Sequence, residues 1–139
     1  MNMYGKVGEF TPDSLIAGNE YPILKEGIGL KAGQGLLKRG TLISKAADGA
    51  GYITGKAVTV TEGTGESAKT SDVETTVFGI LTDDTDTGSD AAASNIPATA
   101  YITGIFSRAD VIVAEGANVD AYEHDMKVVG MYLRRVQEY

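Results

Sequence analysis

Residues 82–90 read TDDTDTGSD: four aspartates, three threonines and a glycine in nine positions, directly after the apolar run VFGIL at 77–81. Carboxylates at this density can hold calcium, or move protons where one of them is buried. Calcium takes about six to eight oxygens, and an EF-hand loop supplies them from positions 1, 3, 5, 7, 9 and 12, with glycine at 6 and a bidentate glutamate at 12. Counting from Asp83 puts Gly88 at 6, but Thr85 and Thr87 fall at 3 and 5 and Ser94 at 12. Counting from Asp84 gives Asp86 at 3, Gly88 at 5 and Asn95 at 12. Neither register completes a ligand set, and neither flank has a helical pattern. A general acid or base needs partial burial to shift its pKa, and so hydrophilic a run does not bury itself. A polar connection between two strands is expected, with Asp, Thr, Ser and Gly satisfying the backbone locally.

Other chemistry-bearing residues are sparse. His124 is the only histidine and sits between Glu123 and Asp125, but adjacent residues on a helix do not face each other, and no neighbouring element offers a nucleophile. It is expected at a surface or interface. In GIGLKAGQG at 27–35, Gly27, Gly29 and Gly33 miss the spacings of both the P-loop and the dinucleotide fingerprint, which makes them turn glycines. The chain has no cysteine, so a thiolate nucleophile, a disulfide framework and a Cys-type zinc site are excluded. Neither an enzyme nor a cofactor is expected.

The formal charge is −7, and a phosphate grip works through Lys and Arg releasing counterions. Lys38, Arg39, Arg134 and Arg135 are too few and too dispersed for such a patch, so no nucleic-acid partner is expected. The spacing puts Arg134 and Arg135 on opposite faces of a terminal strand, from which one can reach an acidic neighbour in another subunit. The opening MNMYGKVGEF lacks the pattern of a secretory signal, and no window approaches the roughly 20 apolar residues of a membrane span. The expectation is a soluble protein made in a cytoplasm, with no membrane partner.

These residues need elements to position them. At 139 residues one domain with one core is expected. Eighteen glycines are nearly twice the usual share of about 7%, and they separate short apolar runs, which is the punctuation of many short strands. Candidate strands are 21–24, 35–37, 41–44, 56–61, 76–81, 98–105 and 131–136. VFGIL is apolar without alternation, so it is buried on both sides, with Gly79 marking a bulge or a close backbone approach. A helix is expected over 119–129, capped by Asn118 or Asp120, with Tyr122, Met126 and Val129 on one face and Gly130 as its left-handed stop. SRADVIVAEG gives one or two helical turns capped by Ser107. The fold class is therefore mainly β with one or two short helices (α+β). Residues 1–19 carry isolated apolar side chains with no sustained period and form an extended arm, and 20–139 form the domain.

With chemistry excluded, the order of segments is informative. FGILTDD at 78–84, AYITGIFSRADVIVAEGA at 100–117 and MKVVGMYLRRV at 126–136 resemble the phage head decoration proteins, the group typified by the lambda head decoration protein. In that family an apolar strand leads into a polar Thr/Asp/Ser connection; a Y-x-x-G-x-F strand, a short turn and a Gly-containing terminal strand follow. FTPDSLIAGNEYP and GQGLLKRGTLI look like the opening segments of larger members. The family-motif positions are Phe78, Gly79, Ile80, Leu81, Tyr101, Gly104, Phe106, Val111 and Gly130. The segment 47–74 exceeds what compact members need, and its composition suggests a hairpin with a mobile tip.

The resemblance implies a small β-tulip or barrel-like domain forming a homotrimer. That trimer docks on the outer surface of an expanded capsid, at three-fold positions of the major capsid protein, and cements the shell against packaged DNA. In the virion the arm would make the capsid contact, and Met3, Tyr4, Val7, Phe10 and Leu15 are its apolar anchors, suited to strand addition at a neighbour's sheet edge. Two alternatives compete. A carbohydrate- or receptor-binding module of a phage fibre would present aromatic platforms, yet the chain has no Trp and three Phe. A hydrolase would work through Asp83, Asp84 or Asp86.

Overall fold

A computed structural model describes residues 15–18, 21–56, 59–62, 69–72, 74–91 and 93–135. Among the described residues, eleven strands and one short α-helix are arranged around a small closed barrel of five strands. The long strand β10 (Ile96–Ser107) is its spine. Its first half pairs antiparallel with β2 (Leu24–Leu30) on one side and β8 (Thr75–Leu81) on the other. Strands β4 (Leu42–Ala46) and β5 (Ala50–Ile53) close the ring, with β5 parallel to β2 and β4 antiparallel to β5 and β8. Full closure removes the exposed edges that an open sheet of this size would present.

The second half of β10 leaves the barrel. Its register against β2 shifts between Tyr101 and Thr103, and Gly104 follows at φ +146°, a conformation side chains rarely adopt. Beyond it β10 pairs antiparallel with β1 (Ile16–Gly18) and parallel with β11 (Met131–Arg134). The small ribbon of β3 (Leu36–Leu37) and β9 (Thr85–Asp86) lies beside the barrel, and β6 (Thr59–Glu62) pairs with β7 (Lys69–Asp72) as a separate hairpin.

Alternation along the barrel strands feeds two cores, because successive side chains point to opposite faces. Ile43 and Leu81 point into the barrel with Ile28, Leu30 and Leu37. Leu42 and Ile80, their neighbours in sequence, point outward into a second core with Tyr101, Phe106, Met126 and Met131. The expectation that VFGIL is buried on both sides therefore holds for Gly79, Ile80 and Leu81, whereas Val77 and Phe78 are half-buried. Gly79 combines both proposed roles: the β4–β8 register slips beside it, and a Cβ there would lie 2.6 Å from the Tyr101 carbonyl oxygen. Gly51 closes the interior in the same way, since a Cβ would meet Ile28, Ile43 and Leu30 at 2.9 to 3.0 Å.

The helix is also where the pattern placed it, but it is built in two parts. Residues Val119–Tyr122 form a 3-10 turn whose Asn118 side chain accepts from the Asp120 N–H, and α1 runs over Glu123–Val129. Gly130 ends it at φ +96°, with its N–H returning to the Lys127 carbonyl.

Several expectations need correction. Leu15 is not an arm anchor: it is 2% exposed within the outer core, its carbonyl accepts from the Ser107 N–H, and β1 follows it. The domain thus includes residues 15–18, and the boundary at 19 is too late; Met3, Tyr4, Val7 and Phe10 lie outside the described residues. Val129 is exposed, so the buried stripe of α1 reduces to Met126. Ser107 does not cap the turn Arg108–Asp110; it is buried and its side chain makes no capping bond. The strand expected over 21–24 begins only at Leu24. Gly27 and Gly29 belong to that strand rather than to a turn, whereas Gly33 does turn the chain. Finally, 47–74 is not all insertion, since β5 is a barrel strand. The β6–β7 hairpin is present, and its expected mobile tip at 63–68 lies outside the described residues.

Candidate functional site

The 82–90 segment is an ordered connection in which Asp83, Asp84 and Asp86 accept hydrogen bonds from neighbouring backbone and hydroxyl groups. Asp84 Oδ1 accepts from the Arg39 N–H at 2.7 Å, and Asp86 Oδ1 accepts from the Gly88 N–H at 2.9 Å. Thr82 donates to Asp83 Oδ2 at 3.0 Å. Buried Thr87 is the fastener: its hydroxyl donates to the Gly35 carbonyl at 2.7 Å and accepts from the Gln34 N–H at 2.9 Å, while its backbone pairs with Gly33 and Gly35. Such local bonds are what Asp and Thr supply in turns. The aspartates stay exposed while the threonines anchor, so the loop presents Asp83, Asp84 and Asp86 outward beside exposed Leu36. Among the described residues no group of three acidic or histidine side chains is placed to hold a metal ion.

Arg39 braces this end of the molecule. Its guanidinium donates to the Thr82 carbonyl at 2.7 Å and the Tyr101 hydroxyl at 2.9 Å, and it stands 5.5 Å from the Tyr101 ring centroid. Gln34 performs a similar service nearby. Its amide donates to the Lys31 and Gly51 carbonyls and accepts from the Ile53 N–H at 2.9 Å, bridging the β2–β5 junction where only two residue pairs meet.

The opposite surface centres on α1 and β11. Arg108 reaches Glu123 with two parallel bonds, 2.6 Å to Oε2 and 3.1 Å to Oε1, and also donates to Asp120. These bonds hold the Glu123 carboxyl below the usual glutamate range and push the Arg108 guanidinium up, through Glu123 first and Asp120 second. The pair fixes the start of α1 relative to the end of β10. Glu123 is thereby engaged by Arg108, and His124 beside it is exposed. Tyr52 is the other perturbed group: burial raises it, and the Asp48 carboxylate adds to this.

A shallow groove of about 210 Å³ separates α1 from β8, lined by Thr75, Thr76, Val77, Asp125, Val128 and Val129. Its floor is apolar and it gathers no constellation of nucleophile, base and oxyanion donor. Arg134 ends β11 and Arg135 follows it, both exposed.

The motif positions come together. Ile80, Tyr101, Phe106 and Val111 share the outer core, Phe78 packs against the barrel interior with Leu81, and Gly104 and Gly130 are joined by an N–H to carbonyl bond of 3.2 Å. Sequence reasoning did not single out Leu24, Leu36 and Val128, which are exposed large apolar side chains. No protein-family model matches the chain, and no curated protein matches it.

Proposed function

We propose that the protein is a structural cement: a phage head decoration protein that binds the outer surface of an expanded capsid as a homotrimer. One observation carries this. The three segments that bear the resemblance lie on β8, β10 and on α1 with β11; β10 pairs with both β8 and β11, and the side chains of all three meet in one core.

The surface chemistry supports the same role. The carboxylates of 82–90 and Glu123 are engaged in bonds that build loops and junctions, and the exposed features are apolar and charged patches suited to binding protein. A net charge of −7 suits a protein kept apart from DNA by the shell. The segment 1–14 enters the fold at Leu15, beside Ser107, and its Met3, Tyr4, Val7 and Phe10 would anchor it to the capsid protein by strand addition. Three such arms on one trimer make the second and third attachments intramolecular.

The test is co-sedimentation with expanded and unexpanded shells. Capture by expanded shells at three-fold positions is expected; absence of capture by either shell overturns the proposal.

A further inference from the structure

Strand β10 changes its neighbour on one side along its length. On the other side β2 and then β1 follow each other against it. On this side β8 meets it only through Ile80 and Leu81, and from Gly104 onward β11 takes the place of β8. The start of β8 therefore splays away from β10, and α1 packs against both β8 and β11. Among the described residues Thr75, Thr76 and Val77 pair with β4 alone. In an antiparallel pair alternate residues turn their N–H and C=O away from the partner, so this stretch is an open strand edge.

The groove between β8 and α1 runs along that edge. Its volume of about 210 Å³ lies below the roughly 300–1,000 Å³ of small-molecule sites. Val77, Val128 and Val129 give it an apolar lining, with Val128 71% exposed, and Asp125 supplies a carboxylate. Lys127 does not neutralise Asp125, since its ammonium stands 4.0 Å from Glu123 Oε2, and among the described residues Asp125 forms no ion pair. Such a groove suits an extended chain that brings backbone groups to β8, apolar side chains to the valines and one cation to Asp125.

We propose that the occupant is this chain's own segment Tyr4–Phe10, added to the open edge of β8 within the same copy. In extended backbone Tyr4, Lys6, Gly8 and Phe10 share one face. Lys6 is the only Lys or Arg in residues 1–14 and meets Asp125, while Tyr4 and Phe10 on either side of it cover Val128 and Val129. Glu9 falls on the opposite face, away from Asp125. The other end of the chain, VQEY at 136–139, brings a glutamate and no cation. Phe10 precedes Leu15 by five residues, a reach of up to about 17 Å. That length is enough, because Leu15 and Val77 pack in the same outer core. So short a tether gives an effective concentration on the order of millimolar. The groove is thus a seat that holds the arm on its own domain, and any other sheet edge has to compete for it. This goes beyond the function proposed above and stands without a shell.

Hydrogen exchange of the full chain, read on peptides covering 4–10 and 74–78, tests it. Both peptides are expected to exchange at least about tenfold more slowly in the wild type than in Val128→Asp, with the β10 amides unchanged. Lys6→Glu lies outside the barrel and is expected to lose the same protection, and Lys6→Glu combined with Asp125→Lys to regain it. Equal exchange of 4–10 in the wild type and Lys6→Glu overturns the inference. Protection that grows with protein concentration also overturns it, because the segment then sits on another copy. Shell capture is a separate readout: its absence sinks the cement proposal alone, and an unprotected 4–10 segment in a chain that shells capture sinks this inference alone.

Discussion

The barrel interior and the outer core are built from the same strands but differ in kind. The interior is aliphatic, formed by Ile28, Leu30, Ile43 and Leu81 with Leu37 of the β3–β9 ribbon packed in the same cluster, and the barrel walls are hydrogen-bonded strands. The outer core is larger and mixed, with Tyr101, Phe106, Met126 and Met131, and its lid comes from β1, α1 and β11. The interior therefore makes the barrel, whereas the outer core attaches the elements that carry surfaces. Most motif positions fall in or beside the outer core.

Truncating the outer core is the strongest way to break the comparison. Phe106→Ala is expected to cost about 3–5 kcal/mol in urea unfolding. The loss should appear as one transition, because β4, β8 and β10 feed both cores; a biphasic curve would make the two regions independent. Overfilling the interior comes next. Gly51→Val is expected to cost about 1–3 kcal/mol by the same measurement, since three side chains already crowd the position; a neutral result would mean that the interior has room. Ile43→Val, one methylene removed from the same interior, should cost about 0.5–1.5 kcal/mol.

The smallest effect concerns the lid. Glu123 titrates below its ordinary value in the folded state because Arg108 donates to it. Its stabilisation is therefore present above the unfolded value, about pH 4.3, and is lost as pH falls through the folded one. Thermal melts of Glu123→Gln should show a weaker acid dependence in that window than wild type. An identical profile would contradict the assigned role of the Arg108 pair.

Much of the outer core was legible in the sequence, because its elements carry strong signals. VFGIL has the continuous apolar pattern of a strand buried on both faces, and Asn118, Met126 and Gly130 stand at the cap, inward and stop positions of a helix. The barrel closure was not legible. Strand β5 buries Ala50 and Gly51, and small residues give no hydrophobic alternation; the glycines of β2 hide that strand in the same way. Leu15 misled because the short run LIA at 15–17 shows no sustained period, and burial came from Ser107 and the β10 spine far along the chain. The exposed positions of Leu36 and Leu24 arise from register, Leu36 opposite Asp86 and Leu24 opposite Thr103, which local patterns do not encode.

The most direct measurement of the cement role is binding to expanded shells by the full chain and by a chain lacking residues 1–14. This cut spares Leu15 and β1, which a cut at 19 would remove. Capture of the full chain with loss of the shortened one is predicted. Equal capture of both would contradict the arm's part in attachment, and capture of neither would contradict the role itself.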